Sequence, residues 1–473
     1  MNERGGVVKR NIWTIVTIWA LVVAGAPARA ESLADALISA YRNSNLLDQN
    51  QALLRATDEN VAVAMSALRP VIDYTIQSSY LHSEFNSFNS SFDPITPYGE
   101  SWNNTISLSA SLLLVDFGRS QLGIEIAREA VLSARQGLVS VEQDVLLAAV
   151  SAYVDVRLQA EIVALRQSND RLITQELRAA RDRFEVGEVT RTDVAQAEAR
   201  LAAAKSGLAA AEGSYNLARE RYKAAVGHYP SNLSSLPRSP AVAQTVEGAR
   251  SVALTTHPAV RQLQHEVKVA DLRVQLAAAQ MQPTLSGRAT MNENFDGFED
   301  SLDNQSLSLT FNQTLYAGGR LSALYRQSLA SQQASRAGLH QIGVVLSENV
   351  GRAWANLAIS TASIEAGDQQ IRAAQAAFDG VKEEADLGSR TTLDVLDAEQ
   401  TLLDAKATRL QAEANRYVGV YSLLSTMGLL TADQLNLGIP TYDPEAYYNA
   451  VKTGPAHSVQ SDKLDRILKS IGN

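Results

Sequence analysis

Val186-Gly187-Glu188-Val189-Thr190-Arg191-Thr192-Asp193 and Leu387-Gly388-Ser389-Arg390-Thr391-Thr392-Leu393-Asp394 stand 201 residues apart in a chain of 473. In each, an apolar residue and a Gly end one helix, and a Thr-x-x-Asp capping box starts the next. These are the tips of two helical hairpins. The same shift lays residues 114–228 on 315–429 without a gap: Arg119 meets Arg320, Arg135 meets Arg336, Ala152 meets Ala353 and Gly227 meets Gly428. Upstream, a shift of 213 places Ala40 on Ala253 and Pro70 on Pro283, so the first copy holds twelve extra residues, in the stretch around 81–101. The chain is two copies of one unit.

Proline marks the limits of the helices. Residues 98–229 and 284–439 contain none of the twelve prolines, and both intervals are rich in good helix formers. Each unit reads as a short helix (about 32–43, then 248–256) and a second one (45–68, then 258–281). A Pro, a β-like pair, and a helix of roughly 68 residues (119–186 or 320–387) follow. After the Gly turn a helix of about 36 residues returns (192–227 or 393–428). At 1.5 Å per residue the long helix is ~100 Å, and the two half-length helices sum to ~90 Å, so they can stack end to end beside it. Leu138, Val141, Val145, Ala148 and Ala152 recur at coiled-coil spacing, with a second seam at Leu147, Val150 and Val154. Two seams suit a closed ring of helices; the length favours a tube over an ordinary bundle.

Between the helices the period changes to two. Ile72, Tyr74 and Ile76 alternate with Asp73, Thr75 and Gln77; Ile106, Leu108, Ala110 and Leu112 alternate with Thr105, Ser107, Ser109 and Ser111. In the second unit Leu285, Ala289 and Met291 alternate with Thr284, Ser286 and Arg288, and Leu307, Leu309 and Phe311 with Ser306, Ser308 and Thr310. Strands of about nine to eleven residues with one apolar face match tilted membrane strands. A soluble four-stranded sheet is the other reading. Against it, four strands close no barrel and an open edge cannot sit in lipid. Three chains would supply twelve strands.

The N-terminus reads as an export signal. Arg4, Lys9 and Arg10 precede an almost unbroken apolar stretch, Ile12 to Val23, and Ala28-Arg29-Ala30 is a small-x-small cleavage site. The stretch is short for a retained membrane helix. Without residues 1–30 the formal charge falls from −9 to −12, which argues against a nucleic-acid partner. Zero Cys excludes disulfides, thiolate metal sites, cysteine catalysis and a lipid-anchored N-terminal cysteine.

Taken together, the signal, the duplication and the helix–Pro–strand joins at Pro70 and Pro283 resemble the TolC family of outer-membrane efflux proteins. So do the strand-to-helix joins Val115-Asp116-Phe117-Gly118-Arg119 and Tyr316-Ala317-Gly318-Gly319-Arg320, and above all the two Gly turns. The resemblance covers about 31–440. It implies a mainly α protomer of a homotrimer: a twelve-stranded outer-membrane β-barrel continued by a long periplasmic α-helical barrel. Such a trimer is the exit duct of an efflux or type I secretion system. Its partners would be outer-membrane lipid, a periplasmic adaptor (membrane fusion protein) and an inner-membrane ABC or RND transporter. The domain reading is a signal peptide at 1–30, a first repeat at 31–228 (strands about 71–80 and 102–115, tip near 187–193) and a linker at 229–246. A second repeat follows at 247–429 (strands about 284–293 and 305–316, tip near 388–394), then a tail at 430–473. Linker and tail would form a belt around the helical barrel.

The duplication provides an internal control on the tips. Asp397 has Gln196 as its counterpart and Arg390 has Val189, so the shared fold needs neither charge. Asp394 and Asp397 lie on one helix face and around a threefold axis would make two stacked carboxylate rings, which favour cations. By resemblance Asp394 and Asp397 form the pore constriction, and Thr192, Asp193 and Arg390 the entrance latch. A family latch tyrosine falls at Ala385, which has no hydroxyl. Val186, Gly187, Val189, Thr190, Leu387, Gly388 and Thr391 are the expected adaptor contacts. Helix capping accounts for Asp193 and Asp394 equally well, and a solvated surface pair accounts for Arg390 and Asp397.

No enzyme, cofactor or metal pattern stands out. The six His show no paired spacing, and there is no Gly-x-Ser-x-Gly, Walker loop or dinucleotide fingerprint. An acidic loop at 294–304 (Asp296, Glu299, Asp300, Asp303) suits a solvated loop better than a divalent-cation site. Two other classes stay open. A periplasmic adaptor would need a lipoyl-like β domain and an anchor; a structural coiled-coil protein would not need four strands at equivalent places.

Overall fold

The computed structural model describes residues 30–453 except 85–86, 89–90, 92–93, 96–97 and 297–299, together with 463 and 466. Nearly all of the expected signal peptide (1–30), and most of the tail beyond 453, lie outside the described residues. The first unit comprises α1 (Leu33–Arg42), α2 (Asn45–Ser66), β1 (Val71–Glu84), the short β2 (Ser87–Phe88) and β3 (Pro94–Ile95), β4 (Tyr98–Val115), α3 (Arg119–Glu185) and α4 (Arg191–Val226). The second comprises α5 (Val246–Thr256), α6 (Pro258–Ala279), β5 (Thr284–Asp296), β6 (Asp300–Asn312), α7 (Arg320–Asp386) and α8 (Thr392–Thr426); α9 (Pro444–Val451) follows.

Both long helices have 67 residues, about 100 Å at the usual rise. Each starts after a Gly in the left-handed region, Gly118 (φ 87°) or Gly319 (φ 82°). The half-length helices do run along them, α2 and α4 beside α3, α6 and α8 beside α7. Their end-to-end joints rest on glycine. Gly227, which caps α4, sits against the Asn43 side chain between α1 and α2. Gly428, just beyond α8, sits against the backbone of His257 between α5 and α6. A Cβ at Gly428 would lie 2.6 Å from the His257 Cα.

Seven-residue spacing runs through the buried faces. Ala197, Ala204, Ala211 and Ala218 are buried along α4, and Leu346, Ala353, Ser360, Gly367 and Ala374 along α7. A strict heptad keeps one stripe on a neighbour only if the helices supercoil left-handedly, and small residues in the stripe allow close approach. Of the first expected seam on α3, Val145 and Ala152 are buried, Leu138 and Val141 partly so, and Ala148 is exposed within the protomer. The main core lies at mid-height, where α1, α3, α4 and α8 converge on Leu146, Val150, Tyr153, Tyr222 and Tyr421. The Tyr222 hydroxyl donates to Glu31 at 2.5 Å, and the Tyr153 hydroxyl to the Ser234 carbonyl at 2.9 Å. Helix α3 also contains a window long and apolar enough for a membrane span, but much of that window is buried inside the protomer. Residues around Leu233, Leu236 and Val242 pack on the core from outside, and α9 packs on α2.

The main sheet is antiparallel, in the order β1-β4-β5-β6. Its register puts like faces together: Tyr74 opposite Leu108, Ile76 opposite Ile106, Ala289 opposite Leu307, and Asp73 opposite Ser109, Arg288 opposite Ser308. The apolar face is bare: Ile72 is 69% exposed, Leu307 84% and Leu309 70%. Strands β1, β4 and β5 extend further at their loop ends than the expected 71–80, 102–115 and 284–293, and β6 starts earlier. In those extensions the alternation breaks, with Glu100 on the apolar face and Leu81 and Leu302 on the polar one, while backbone pairing continues. Strand β6 stops at Asn312 rather than 316, because its partner begins at Thr284, opposite Asn312, immediately after Pro283.

Candidate functional site at the hairpin tips

Both tips fold identically. Gly187 (φ 82°) and Gly388 (φ 77°) take the left-handed conformation. The Glu188 N–H returns to the Arg183 carbonyl at 2.9 Å and the Ser389 N–H to the Glu384 carbonyl at 2.9 Å, so each helix end satisfies its last carbonyls. Reciprocal capping follows. The Thr190 hydroxyl donates to Asp193 Oδ2 at 2.8 Å and accepts from the Asp193 N–H at 3.3 Å; Thr391 and Asp394 repeat this at 2.8 and 3.2 Å. Asp193 and Asp394 thus cap helices. Hydrogen bonds from the Thr391 backbone and hydroxyl, with Arg390 nearby, hold the Asp394 carboxyl below its ordinary range. Apolar knobs project from the tips: Val186 is 72% and Leu387 85% exposed.

A groove of about 610 Å³ separates the tips, lined by Val189, Thr190, Asp193, Gly388, Arg390, Thr391 and Asp394 among others. The structure therefore brings Asp193, Arg390 and Asp394 together. Thr192 is exposed outside the groove. Arg390 donates to Glu384 at 2.8 Å within its own tip, and that hydrogen bond raises its guanidinium further above the ordinary range. Ala385 is buried against Phe378 and Val395.

Asp397 sits one turn above the groove and accepts from Arg200 of the other hairpin. It belongs to a set that binds hairpin to hairpin: Arg183 to Asp386 at 2.8 Å, and Lys382 to Glu176 at 3.7 Å. The sequence reading did not single out Arg200, Arg183, Glu176, Lys382 or Asp386. The signal that exposed Asp397 was available for Arg200, Glu176 and Arg183, but not for Lys382 or Asp386, whose counterparts Arg181 and Glu185 keep the charge. Arg200 is replaced by Thr401 in the other copy, Glu176 by Ala377, and Arg183 by Glu384. Apolar contacts complete the seam: Leu396 of α8 packs on Ile173, Leu177 and Ala197.

Among the described residues no group of three or more His, Asp or Glu is placed to hold a metal ion. In the acidic loop, Asp303 pairs across the strands with Glu293, and Glu299 lies outside the described residues.

A family model described as outer membrane efflux protein matches residues 37–228 and 249–429, one match per repeat. The outer membrane efflux protein BepC of Brucella suis is 34% identical over 447 residues, spanning 94% of this chain and 95% of that protein. The proteases secretion protein PrtF of Dickeya chrysanthemi is 24% identical, spanning 80% and 84%. The crystal structure of the Campylobacter jejuni CmeC outer membrane channel superposes with a TM-score of 0.73 at 12% identity, covering 89% of each chain.

Proposed function

The chain belongs to the outer membrane efflux protein family, the TolC family, and on that premise we propose how one protomer becomes part of a duct. At the family level it is an outer-membrane channel, the passive exit of an efflux or secretion system, with its helices in the periplasm; it is not an enzyme. We infer that three copies join β6 of each sheet to β1 of the next and close twelve strands. The observation that carries this is the open, four-stranded sheet with a bare apolar face, set on two ~100 Å helices. Unpaired strand edges are costly in hydrocarbon, and closure removes them. The polar faces, Ser107, Ser109, Ser111, Arg288, Thr290, Ser306 and Ser308, then line the lumen.

Below the barrel, α3, α4, α7 and α8 of three copies make a ring of twelve helices. Exposed apolar positions on the helices, including Leu217 on α4 and Val344 and Ile359 on α7, are where neighbouring copies would pack. The Asp394 and Asp397 rings form the constriction, with Arg200 setting how much charge Asp397 presents. Thr192, Asp193 and Arg390 act at the entrance. The knobs Val186 and Leu387, with Gly187, Val189, Thr190, Gly388 and Thr391, seat a periplasmic adaptor, which couples the duct to an inner-membrane transporter of the ABC or RND type.

Two measurements test this together. Outer-membrane fractions should contain a trimer that survives mild denaturation, and the purified trimer should conduct ions across a planar bilayer. A monomer soluble without detergent would overturn the reading.

A further inference from the structure

Glu399 stands where the two repeats behave differently. Its counterpart Glu198 is exposed and bonded by Arg181 at 2.6 Å. Lys382 is the counterpart of Arg181, yet it turns to Glu176 of the other hairpin at 3.7 Å. Glu399 itself is 7% exposed, and its Oε2 has no hydrogen-bond partner among the described residues. It lines a cavity of about 190 Å³ on the seam, where Asn169 and Leu172 of α3 meet Gln375 and Phe378 of α7. Asn169 is 5% exposed and its Oδ1 is likewise without a partner. The cavity thus holds two buried acceptors that no donor among the described residues reaches. A neutral Glu399 carries its own O–H, whereas an ionised one offers no donor and adds a buried charge.

The charged groups around it give the sign. From α3 comes Glu176; from α7, Lys382; on its own helix α8, Lys406 lines the same cavity. Burial, and then the negative charge of Glu176, push the Glu399 carboxyl up from 4.5 to about 7, with Lys382 opposing. Once ionised, Glu399 repels Glu176 and competes with it for Lys382.

We infer that Glu399, with Glu176 and Lys382, is a proton-sensitive clasp between the two hairpins: neutral, it keeps the seam shut; ionised, it loosens it. That parting the hairpins widens the entrance rests on the reading of the chain as a duct. The shut seam binds the proton more tightly than an opened, hydrated one. Its stabilisation is therefore complete below the ordinary carboxyl value of 4.5 and is lost as pH rises through about 7.

The test uses the full-length trimer. In planar bilayers the resting conductance of the native protein should rise by roughly tenfold from pH 5 to pH 8. Glu399→Gln should stay at the pH 5 value at both, and Glu176→Gln should move the midpoint to lower pH, because it removes a charge that holds the Glu399 carboxyl up. A second readout does not need conduction. The chain has no Cys, so spin labels on Gln175→Cys and Glu383→Cys report the seam directly, and their separation should lengthen at pH 8 only when Glu399 is present. A conducting trimer with no pH response in seam distance, or one whose response survives Glu399→Gln, overturns the clasp. A seam that moves in a protein that never conducts supports the clasp and removes the duct.

Discussion

Arg200 donates to Asp397 across the seam between hairpins, over 197 residues of chain. The contact removes an acidic side chain from free display at the position proposed as a constriction. Arg200→Ala should therefore increase cation preference and strengthen block by a trivalent cation, while Asp394→Ala with Asp397→Ala should weaken both. Conductance and reversal potential in planar bilayers, with and without such a cation, check this. Unchanged block in the double variant would remove the carboxylate rings from the pore.

Arg390 lies in the groove between tips but spends its Nε on Glu384. If it also latches the entrance in the trimer, Arg390→Ser should raise resting conductance, and Glu384→Gln should not. Equal single-channel conductance in both variants and the native protein would count against the latch.

The glycines rank by what surrounds them. Gly388→Ala meets no atom within 4 Å and should cost about 1–2 kcal/mol for its left-handed backbone. Gly428→Ala carries the same strain and also drives Cβ into the His257 backbone, adding about 1–3 kcal/mol. Thermal unfolding in detergent should show the larger loss for Gly428→Ala. The reverse order would contradict the end-to-end stacking of α8 on the α5–α6 corner.

Asp58 on α2 is fully buried, and neither carboxylate oxygen has a partner among the described residues. Burial pushes its carboxyl from 3.8 up to about 6, against the pull of Arg135. The fold favours the neutral form, so this contribution to stability is present below pH 3.8 and lost by about pH 6. Asp58→Asn should stabilise the protein at pH 8 by about 1–2 kcal/mol and do nothing near pH 4. Melting temperatures at the two pH values decide it.

Loss of a cap has a smaller, local effect. Thr190→Ala and Thr391→Ala should each cost about 1 kcal/mol, seen as faster amide exchange in the first turns of α4 and α8. Exchange confined to other segments would show that the boxes at Asp193 and Asp394 are not what holds those turns.

The duplication, the proline-free intervals and the Gly turns made the frame legible. The long helices expected at 119–186 and 320–387 appear at Arg119–Glu185 and Arg320–Asp386, because Gly118, Gly187 and their counterparts fix the ends locally. The strand faces were legible from Ile72 to Phe311 for the same reason: side-chain alternation is a property of the backbone. Beyond 80 and before 102, where Leu81 falls on the polar face and Glu100 on the apolar one, the pattern carried no signal, and the pairing ran on to Glu84 and Tyr98.

Sequence by itself determined the helices, their turns, the alternating strands and the two capping boxes, since each depends on residues within a few positions of one another. The environment of Glu198 and Glu399 was decided by tertiary structure alone. Equivalent in the repeat and placed alike on their helices, they differ because α4 packs mainly on its own long helix, whereas α8 packs not only on α7 but also on α3, the long helix of the other repeat. That contact buries one carboxylate and leaves the other in water, and it joins Arg200 to Asp397 and Lys382 to Glu176. A partner that lies on another hairpin is fixed by how helices pack, and that information is not contained in any local stretch of the chain.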